Sequence, residues 1–210
     1  MRLDSEELER LVSRAAETIK EGGVVAFPTE TYYGLAVDPF NRTALQRLFR
    51  VKKRSLDKPI LTLVENVGQL SLLAREVPAL YQPLMEEFWP GPLTLLFPAP
   101  ERLPPLLTAG TGEIGVRISS HPVAQALVRV CGFPVTATSA NISGHPAASR
   151  AAEVREQLPD IDLLIPFDHL ANGRGSTIMS CRSGRPLIIR AGAIPTDQIL
   201  KVLEEHKRFI

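Results

Sequence analysis

The alternation of helical and strand-like segments constrains the fold more than any other feature of this sequence. An amphipathic helix is predicted to begin at Asp4 or Ser5 and to end at Gly22, and the apolar run VVAF (24–27) follows as a buried strand. Further helices are predicted around 43–51, 67–75, 77–88, 121–130 and 148–158 and from residue 196, and further strands over 60–64, 93–97, 114–118, 135–139, 162–167, 176–181 and 186–192. This order is typical of an α/β fold, with helices flanking a twisted sheet of mixed parallel and antiparallel strands. The last two strands are predicted to form an antiparallel hairpin, and we expect a single domain over residues 1–210.

Composition and charge exclude several classes of protein. The net charge of +1, from 24 Lys and Arg against 23 Asp and Glu, excludes binding of nucleic acid through overall charge. Two cysteines are too few for a disulfide scaffold or a four-thiolate zinc site. The charged, amphipathic start does not resemble a signal segment, and no stretch reaches the roughly 20 apolar residues of a membrane span. We therefore expect a soluble, cytoplasmic protein.

Several common functional motifs are absent from the sequence. It contains no GxxxxGK[ST] phosphate-binding loop, no GxGxxG after a strand, no HExxH and no GxSxG. The four histidines do not have the spacing of metal ligands, so we expect no metal site built by the protein. The chemistry must therefore depend on other groups.

A basic cluster lies between residues 50 and 58. It consists of Arg50, Lys52, Lys53, Arg54 and Lys58, opposed only by Asp57. Such a run is often just a solvated helix end, because cations favour the C-terminal turn of a helix. Here the run leads through Pro59 into a buried strand, so Arg54 and Lys58 are expected at the mouth of that strand. Cations at such a place suit a polyphosphate.

Two hydroxyl-rich segments also follow predicted strands. The segment PTETYYGL (28–35) carries the hydroxyls of Thr29 and Thr31 and the carboxylate of Glu30. These are more polar residues than one helix cap needs, although a helix cap remains an alternative. The segment TSANISG (138–144) places Ser139 and Asn141 on the same side of an extended chain. A simple Asx or Ser turn is the alternative there.

Two arginines interrupt apolar strands. Arg117 shares its strand face with Gly115, whose small size is expected to leave space beside the guanidinium, and Arg190 lies in the run PLIIRAG. Burying an unpaired charge costs several kcal/mol, so each arginine needs an anion. That anion is either a carboxylate of the chain or a bound ligand. Ser176 is expected to add a hydroxyl to the same cleft.

These residues indicate an α/β domain with a basic, hydroxyl-rich cleft for a phosphorylated ligand. The order of the motifs is more specific: GGVVAFPTETYYGL, KKR…DKPI, FWPGPLTLLF, GVRI followed by His-Pro, TSANISG, GSTI and RAGAI. From about Gly22 to Ile194 the chain resembles the YrdC/Sua5 family, whose members make threonylcarbamoyl-AMP for the threonylcarbamoyladenosine modification of tRNA. Its length resembles the short bacterial form, without the C-terminal domain of longer members.

The resemblance implies a role for nine residues. Those implied as catalytic, cradling the ATP phosphates and ribose, are Lys52, Arg54, Ser139 and Asn141. Those implied to bind threonine are Thr31, Arg117 (through a charged bond to the threonine carboxylate) and Ser176. Further nucleotide contacts are implied for Lys58 and Arg190. Leu63 and Ala147 depart from the family pattern, since polar residues occupy these positions in some members.

The implied activity is that of a nucleotidyltransferase. Threonine and bicarbonate or CO2 form N-carboxylated threonine, whose new carboxylate attacks the α-phosphorus of ATP as pyrophosphate leaves. Such a displacement depends on positioning and charge neutralisation, and Mg²⁺ is expected to arrive with ATP. The product is implied to pass to the machinery that transfers the threonylcarbamoyl group to tRNA.

Two alternatives remain at this point. One is an RNA-binding module that uses the basic cleft, and the near-neutral charge and 6% aromatic content argue against it. The other is a related carbamoyl-adenylating enzyme with another acceptor, although Thr31 and Arg117 favour an amino acid.

Overall fold

The chain begins with the predicted amphipathic helix. In the computed structural model, which describes residues 4–167, 170, 173–182 and 184–207, helix α1 spans Ser5–Lys20. The Asp4 carboxylate caps α1 by accepting a hydrogen bond from the Glu7 amide at 2.7 Å. The apolar face of α1 packs against helix α6 (Pro122–Cys131), so both helices cover the same sheet.

Apart from the helix Pro105–Thr108 and the strand Tyr33–Ala36, which the sequence did not predict, the other elements lie close to their predicted positions. The remaining helices are α2 (Arg42–Lys52), α3 (Leu70–Leu73), α4 (Gln82–Phe88), α5 (Pro105–Thr108), α7 (Ala151–Gln157) and α8 (Thr196–Lys207), with 3-10 turns at Val67–Gln69 and Ala79–Tyr81. The strands are β1 (Val25–Pro28), β2 (Tyr33–Ala36), β3 (Thr62–Leu63), β4 (Leu93–Pro98), β5 (Glu113–Arg117), β6 (Val135–Thr136), β7 (Thr138–Ser139), β8 (Leu163–Leu164), β9 (Thr177–Ser180) and β10 (Leu187–Arg190).

The strands are divided between two sheets, whereas the sequence suggested one. The four-stranded sheet has the order β7-β2-β1-β8 and the six-stranded sheet the order β10-β9-β4-β5-β3-β6. Each sheet mixes parallel and antiparallel pairs: β1 is antiparallel to β2 and parallel to β8, and β4 is antiparallel to β5 and parallel to β9. The mixed α/β class is therefore confirmed. The predicted hairpin of β9 and β10 is confirmed as well.

The single strand predicted over 135–139 was wrong, because the chain crosses here from one sheet to the other. β6 pairs with β3 in the six-stranded sheet, and β7 pairs with β2 in the four-stranded sheet. The hydroxyl of Thr136 holds the crossing in place, since it donates to the Leu35 carbonyl at 3.0 Å and accepts from the Val37 amide at 3.0 Å. Ser139 is thereby carried from one sheet to the edge of the other.

The segment 28–35 is neither a helix cap nor a plain loop. It turns through residues 29–32 into β2, which forms an antiparallel hairpin with β1 in which Pro28 faces Tyr33. A Cβ on Gly34 would lie only 3.0 Å from Cε1 of Phe27, so glycine permits the two strands to pack closely. This hairpin brings the polar turn to the edge of the sheet.

Two apolar clusters stabilise the arrangement. One packs α1 and α6 against β1 and β8, and the larger one joins α2, α4 and α8 to β4 and β5. Within the part of the chain that the structure describes, no helix is both long and apolar enough to cross a membrane.

Candidate active site

A cleft of about 750 Å³ is lined by residues from both sheets. Seven of the nine residues predicted for the site line it: Thr31, Arg54, Lys58, Arg117, Ser139, Ser176 and Arg190. The other two, Lys52 and Asn141, do not line the cleft and lie behind Ser139. Residues far apart in the chain therefore meet at one place, as the sequence predicted.

The turn between β1 and β2 forms one wall of the cleft. The hydroxyl of Thr29 accepts hydrogen bonds from the amides of Thr31 and Tyr32 at 3.2 and 3.3 Å and donates to the Tyr32 carbonyl at 2.6 Å. The hydroxyl of Thr31 lies 3.1 Å from that of Thr29. Tyr32 then donates through its phenol to the Gly173 carbonyl. This turn is rigid because its own side chains satisfy its backbone.

Arg117 ends β5 inside the cleft and is only 5% exposed. Its Nη1 forms an ion pair with Oε1 of Glu30, and the Ser119 hydroxyl donates to Oε2 of the same carboxylate. Of the two anions that the sequence left open for Arg117, a carboxylate of the chain or a bound ligand, the structure shows the carboxylate. Burial lowers the pKa of Arg117, and the charge of Glu30 opposes that shift.

The expectation that Gly115 leaves space for the guanidinium was wrong. A Cβ at this position would lie 2.3 Å from Cδ2 of Leu61 and 3.2 Å from Cδ2 of Leu96. Apolar side chains fill the space above the glycine. The carboxylate of Glu30, rather than a small neighbour, accommodates the charge of Arg117.

Arg190 differs from Arg117, although both were predicted as buried charges. Arg190 is exposed because β10 is the edge strand of its sheet, so the prediction of burial was wrong. Its guanidinium donates to the Ser176 carbonyl at 2.8 and 3.2 Å and to the Ser176 hydroxyl at 3.1 Å. Loss of solvent around the guanidinium, together with the neighbouring charge of Arg117, lowers the pKa of Arg190, and Tyr32 opposes the shift. The Ser176 hydroxyl lies 2.8 Å from that of Thr94, which fixes its position.

Arg54 and Lys58 lie at the rim of the cleft, ahead of β3. Arg54 is partly exposed and donates to the carbonyls of Lys58 and Pro59 at 3.3 and 2.8 Å, and Lys58 is exposed. Burial lowers the pKa of Arg54, and Asp57 opposes the shift. Among the described residues, no carboxylate forms an ion pair with Arg54, Lys58 or Arg190. These cations are therefore available to an anionic ligand.

Ser139 is held from behind by Lys52 and Asn141. The ammonium of Lys52, which is 1% exposed, donates to the carbonyl of Ser139 and, at 2.8 Å, to that of Asn141. The Ser139 hydroxyl donates to Oδ1 of Asn141 at 2.6 Å, so the two side chains meet as predicted. Burial, with a smaller effect of Arg54, lowers the pKa of Lys52 to about 7.

The sequence did not single out every polar residue of the site. Glu30 and Ser119 had no assigned role, and their contact with Arg117 depends on packing between segments 87 and 89 residues apart. The only signal was the surplus of polar residues in segment 28–35. Of the two departures from the family pattern, Ala147 lines the cleft and Leu63 is buried in the core.

The carboxylates near the cleft that the structure describes do not form a metal cage. Within the described part of the chain, no group of three or more His, Cys, Asp or Glu side chains is close enough to hold a metal ion. Mg²⁺ brought by a nucleotide would depend on phosphate oxygens and water, and this stays a prediction.

Comparison with known proteins places this fold among relatives. A family model named Sua5_yciO_yrdC, described as telomere recombination, matches residues 17–192. The threonylcarbamoyl-AMP synthases of Pyrococcus abyssi and Bacillus subtilis are 38% and 37% identical over 91% of this chain, but over only 56% of their own length. This chain therefore spans about half the length of those two relatives. The threonylcarbamoyl-AMP synthase of Marinobacter nauticus is 34% identical over 81% of this chain and 91% of its own length.

Solved structures agree with the family match. The crystal structure of P. abyssi Sua5 complexed with L-threonine superposes with a TM-score of 0.90 at 36% identity, covering 96% of this chain and 58% of that one. The crystal structure of E. coli YciO has a TM-score of 0.81 at 24% identity and covers 91% of this chain and 93% of that one. The second likeness concerns the fold alone.

Proposed function

The chain belongs to the Sua5/YciO/YrdC family, and from that membership together with the cleft we propose that it is a threonylcarbamoyl-AMP synthase. It forms L-threonylcarbamoyladenylate from L-threonine, bicarbonate or CO2, and ATP, with release of pyrophosphate. The observation that carries this proposal is a single cleft with a buried arginine–carboxylate pair at one end and exposed cations at the other. Relatives of 34–38% identity carry the name threonylcarbamoyl-AMP synthase.

The buried end of the cleft, formed by Thr31, Arg117 and Ser176, takes the threonine. Arg117 binds the carboxylate, and the two hydroxyls lie on the cleft wall within reach of the polar groups of a small amino acid. The chemistry of Arg117 supports this assignment, because a guanidinium can bind the planar carboxylate of an amino acid through two parallel N–H groups. The relative from P. abyssi was crystallised with L-threonine.

The open end of the cleft, formed by Arg54, Lys58 and Ser139, takes ATP, and Arg190, which bonds to Ser176 between the two ends, adds a third cation for the phosphates. Three cations without carboxylate partners in the described structure match the charge of a triphosphate. Lys52 and Asn141 contribute by holding the segment that presents Ser139. Mg²⁺ brought with ATP neutralises phosphate charge when bound.

The residues present fit a reaction that needs no covalent nucleophile. The threonine amine adds to the carbon of CO2 and loses a proton, or condenses with bicarbonate with loss of water, to give N-carboxylated threonine. The oxygen of its new carboxylate forms a bond to the α-phosphorus, and the bond from that phosphorus to the pyrophosphate oxygen breaks. Arg117 orients the acceptor, and Arg54, Lys58 and Arg190 neutralise the charge on the phosphates.

The product is a reactive mixed anhydride, so a transferase that attaches the threonylcarbamoyl group to tRNA must consume it. An RNA-binding module without enzymatic activity is the weaker alternative, because relatives that share the fold and the motifs are named synthases.

The experiment that tests the function is release of pyrophosphate from ATP and Mg²⁺, with threonine and bicarbonate omitted in turn. We expect release only when both are present. Release without threonine would mean another acceptor or plain hydrolysis, and no release from folded protein would overturn the proposal. Arg14→Ala, a change of an exposed arginine on α1 that does not line the cleft, is the control for variants of the site.

A further inference from the structure

We propose that Glu30 is a positioning residue for the amino-acid substrate: it holds Arg117 by one nitrogen, so that the other N–H groups of Arg117 present a fork to the substrate carboxylate. This role rests on the function proposed above. Glu30 does not itself line the cleft, so it would act on the substrate through Arg117.

The contacts of Glu30 are divided between its two oxygens. Oε1 accepts from Nη1 of Arg117, and Oε2 accepts from the hydroxyl of Ser119. Ser119 is buried, and its oxygen atoms also accept from the His121 amide at 3.2 Å and from the side-chain amide of Gln125 at 3.0 Å. The carboxylate is therefore anchored at the start of α6 and cannot rotate freely to take both nitrogens of the guanidinium.

This single contact leaves most of the guanidinium without a partner. A guanidinium carries five N–H donors, and within the described residues the hydrogen bonds of Arg117 run through Nη1 alone. The other nitrogens of Arg117 are not fully buried, because among the described residues the only fully buried side-chain polar atom without a hydrogen bond is the Ser143 hydroxyl oxygen. Since Arg117 lines the cleft, those N–H groups are open to it and match the two oxygens of a carboxylate.

The charge of Glu30 also sets which anion Arg117 takes. Arg117 and Arg190 both line the cleft, and the charge of Arg117 adds to desolvation in lowering the pKa of Arg190. The ion pair reduces the net charge beside Arg117, so a singly charged group binds there and the polyphosphate binds at the exposed cations.

The fold of the turn does not itself require Glu30. Thr29 satisfies the amides of Thr31 and Tyr32, and the hairpin of β1 and β2 holds both ends of the turn. Removal of the carboxylate should therefore leave the path of the turn intact, but it leaves the charge of Arg117 unpaired and lowers the free energy of unfolding, so thermal melting of Glu30→Ala accompanies the kinetics.

The test compares two ligands that differ in one group: L-threonine, and L-threoninol, which keeps the amine and hydroxyl but lacks the carboxylate. For wild type and Glu30→Ala we would measure KM for threonine and ATP and the inhibition constant of threoninol. We expect KM for threonine to rise about 30-fold, the scale of a charge-assisted hydrogen-bond pair. KM for ATP and the inhibition constant of threoninol should change by less than about threefold, since neither depends on that pair.

Two further variants keep the proposal open to refutation. Ser119→Ala, which removes only the contact to Oε2, should shift KM for threonine in the same direction by about threefold. In the double variant Glu30→Ala/Arg117→Ala, the loss should equal that of Arg117→Ala alone, because Glu30 acts through Arg117.

Three results would each overturn the role of Glu30 while leaving the synthase proposal intact. They are an equal loss of threonine and threoninol binding in Glu30→Ala, additive rises of KM for threonine in the double variant, and an unchanged KM for threonine in Glu30→Ala. If wild type released pyrophosphate at the same rate with and without threonine, the proposed function would be overturned, and the role of Glu30 with it.

Discussion

The two ends of the cleft differ in how their cations are buried and paired. At the buried end, Arg117 is 5% exposed and paired with Glu30. At the open end, Arg54 and Lys58 lie at the rim, and among the described residues Arg54 bonds only to backbone carbonyls. The buried end is organised before substrate arrives, whereas the open end leaves its charges in contact with water.

This difference has a physical cause. A buried charge needs a partner in the folded chain, because desolvation costs several kcal/mol. An exposed charge needs none, but salt screens its field within about 10 Å at 0.1 M ionic strength. A paired, rigid arginine suits a small zwitterion in one orientation, and unpaired exposed cations suit a large, multiply charged phosphate chain. Four variants and one change of salt concentration test this comparison.

The largest effect is expected for Arg117→Ala. Removal of one partner leaves the carboxylate of Glu30 without its charge partner, so the free energy of unfolding should fall by about 3–5 kcal/mol. KM for threonine should rise at least ~100-fold and KM for ATP far less, because the lost contact belongs to the buried end. Thermal melting and steady-state kinetics check both parts. Equal rises in the two KM values would refute the assignment of Arg117.

Arg54→Ala should show the opposite pattern. The efficiency with ATP should fall by about 30-fold, whereas stability should fall by only about 1 kcal/mol, because the lost hydrogen bonds are to carbonyls near the surface. Ser139→Ala should likewise reduce activity and keep the fold. Kinetics beside the control Arg14→Ala test this, and unchanged turnover in either variant would count against the open end as the nucleotide site.

Lys52 is buried behind the open end, where its side chain bonds to the carbonyls of Ser139 and Asn141. We expect it to make the free energy of unfolding depend on pH. Its pKa of about 7 in the folded protein lies below the ordinary lysine value of 10.5, so between these pH values the unfolded chain holds a proton that the folded chain has released. The unfolding free energy of wild type relative to Lys52→Met should therefore rise with pH above 7, by less than the ~1.4 kcal/mol per pH unit of one full proton. Below pH 7 both states hold the proton and the slope vanishes. Denaturant unfolding at pH 6 to 9 measures it, and a difference that falls above pH 7 would contradict burial as the cause.

The smallest effect is expected from salt. Raising KCl from 50 to 300 mM should increase KM for ATP about threefold, since the cations of the open end are exposed and screened. KM for threonine should stay nearly constant because the ion pair of the buried end excludes solvent ions. Parallel increases would mean that the two ends do not differ in exposure to salt.

Much of this molecule follows from local sequence. Helix α1 and the strands β1, β4 and β5 appear where periodicity predicted them, because such periodicity follows from which face of an element is buried. The cations at the rim were also predictable, since a basic run that leads into a buried strand must end at the strand mouth. Ser139 and Asn141 met as their spacing predicted.

Other features depended on tertiary structure. The sequence of residues 135–139 reads as one strand, and only the competing partners β3 and β2 divide it between two sheets. Arg117 and Arg190 look alike in their apolar runs, yet one lies in a central strand and the other at a sheet edge. The pairing of Glu30 with Arg117 likewise joins distant segments. Local sequence therefore determined the elements and the chemical groups of this protein, whereas burial and partners were decided by packing, because they depend on which distant residues arrive beside each side chain.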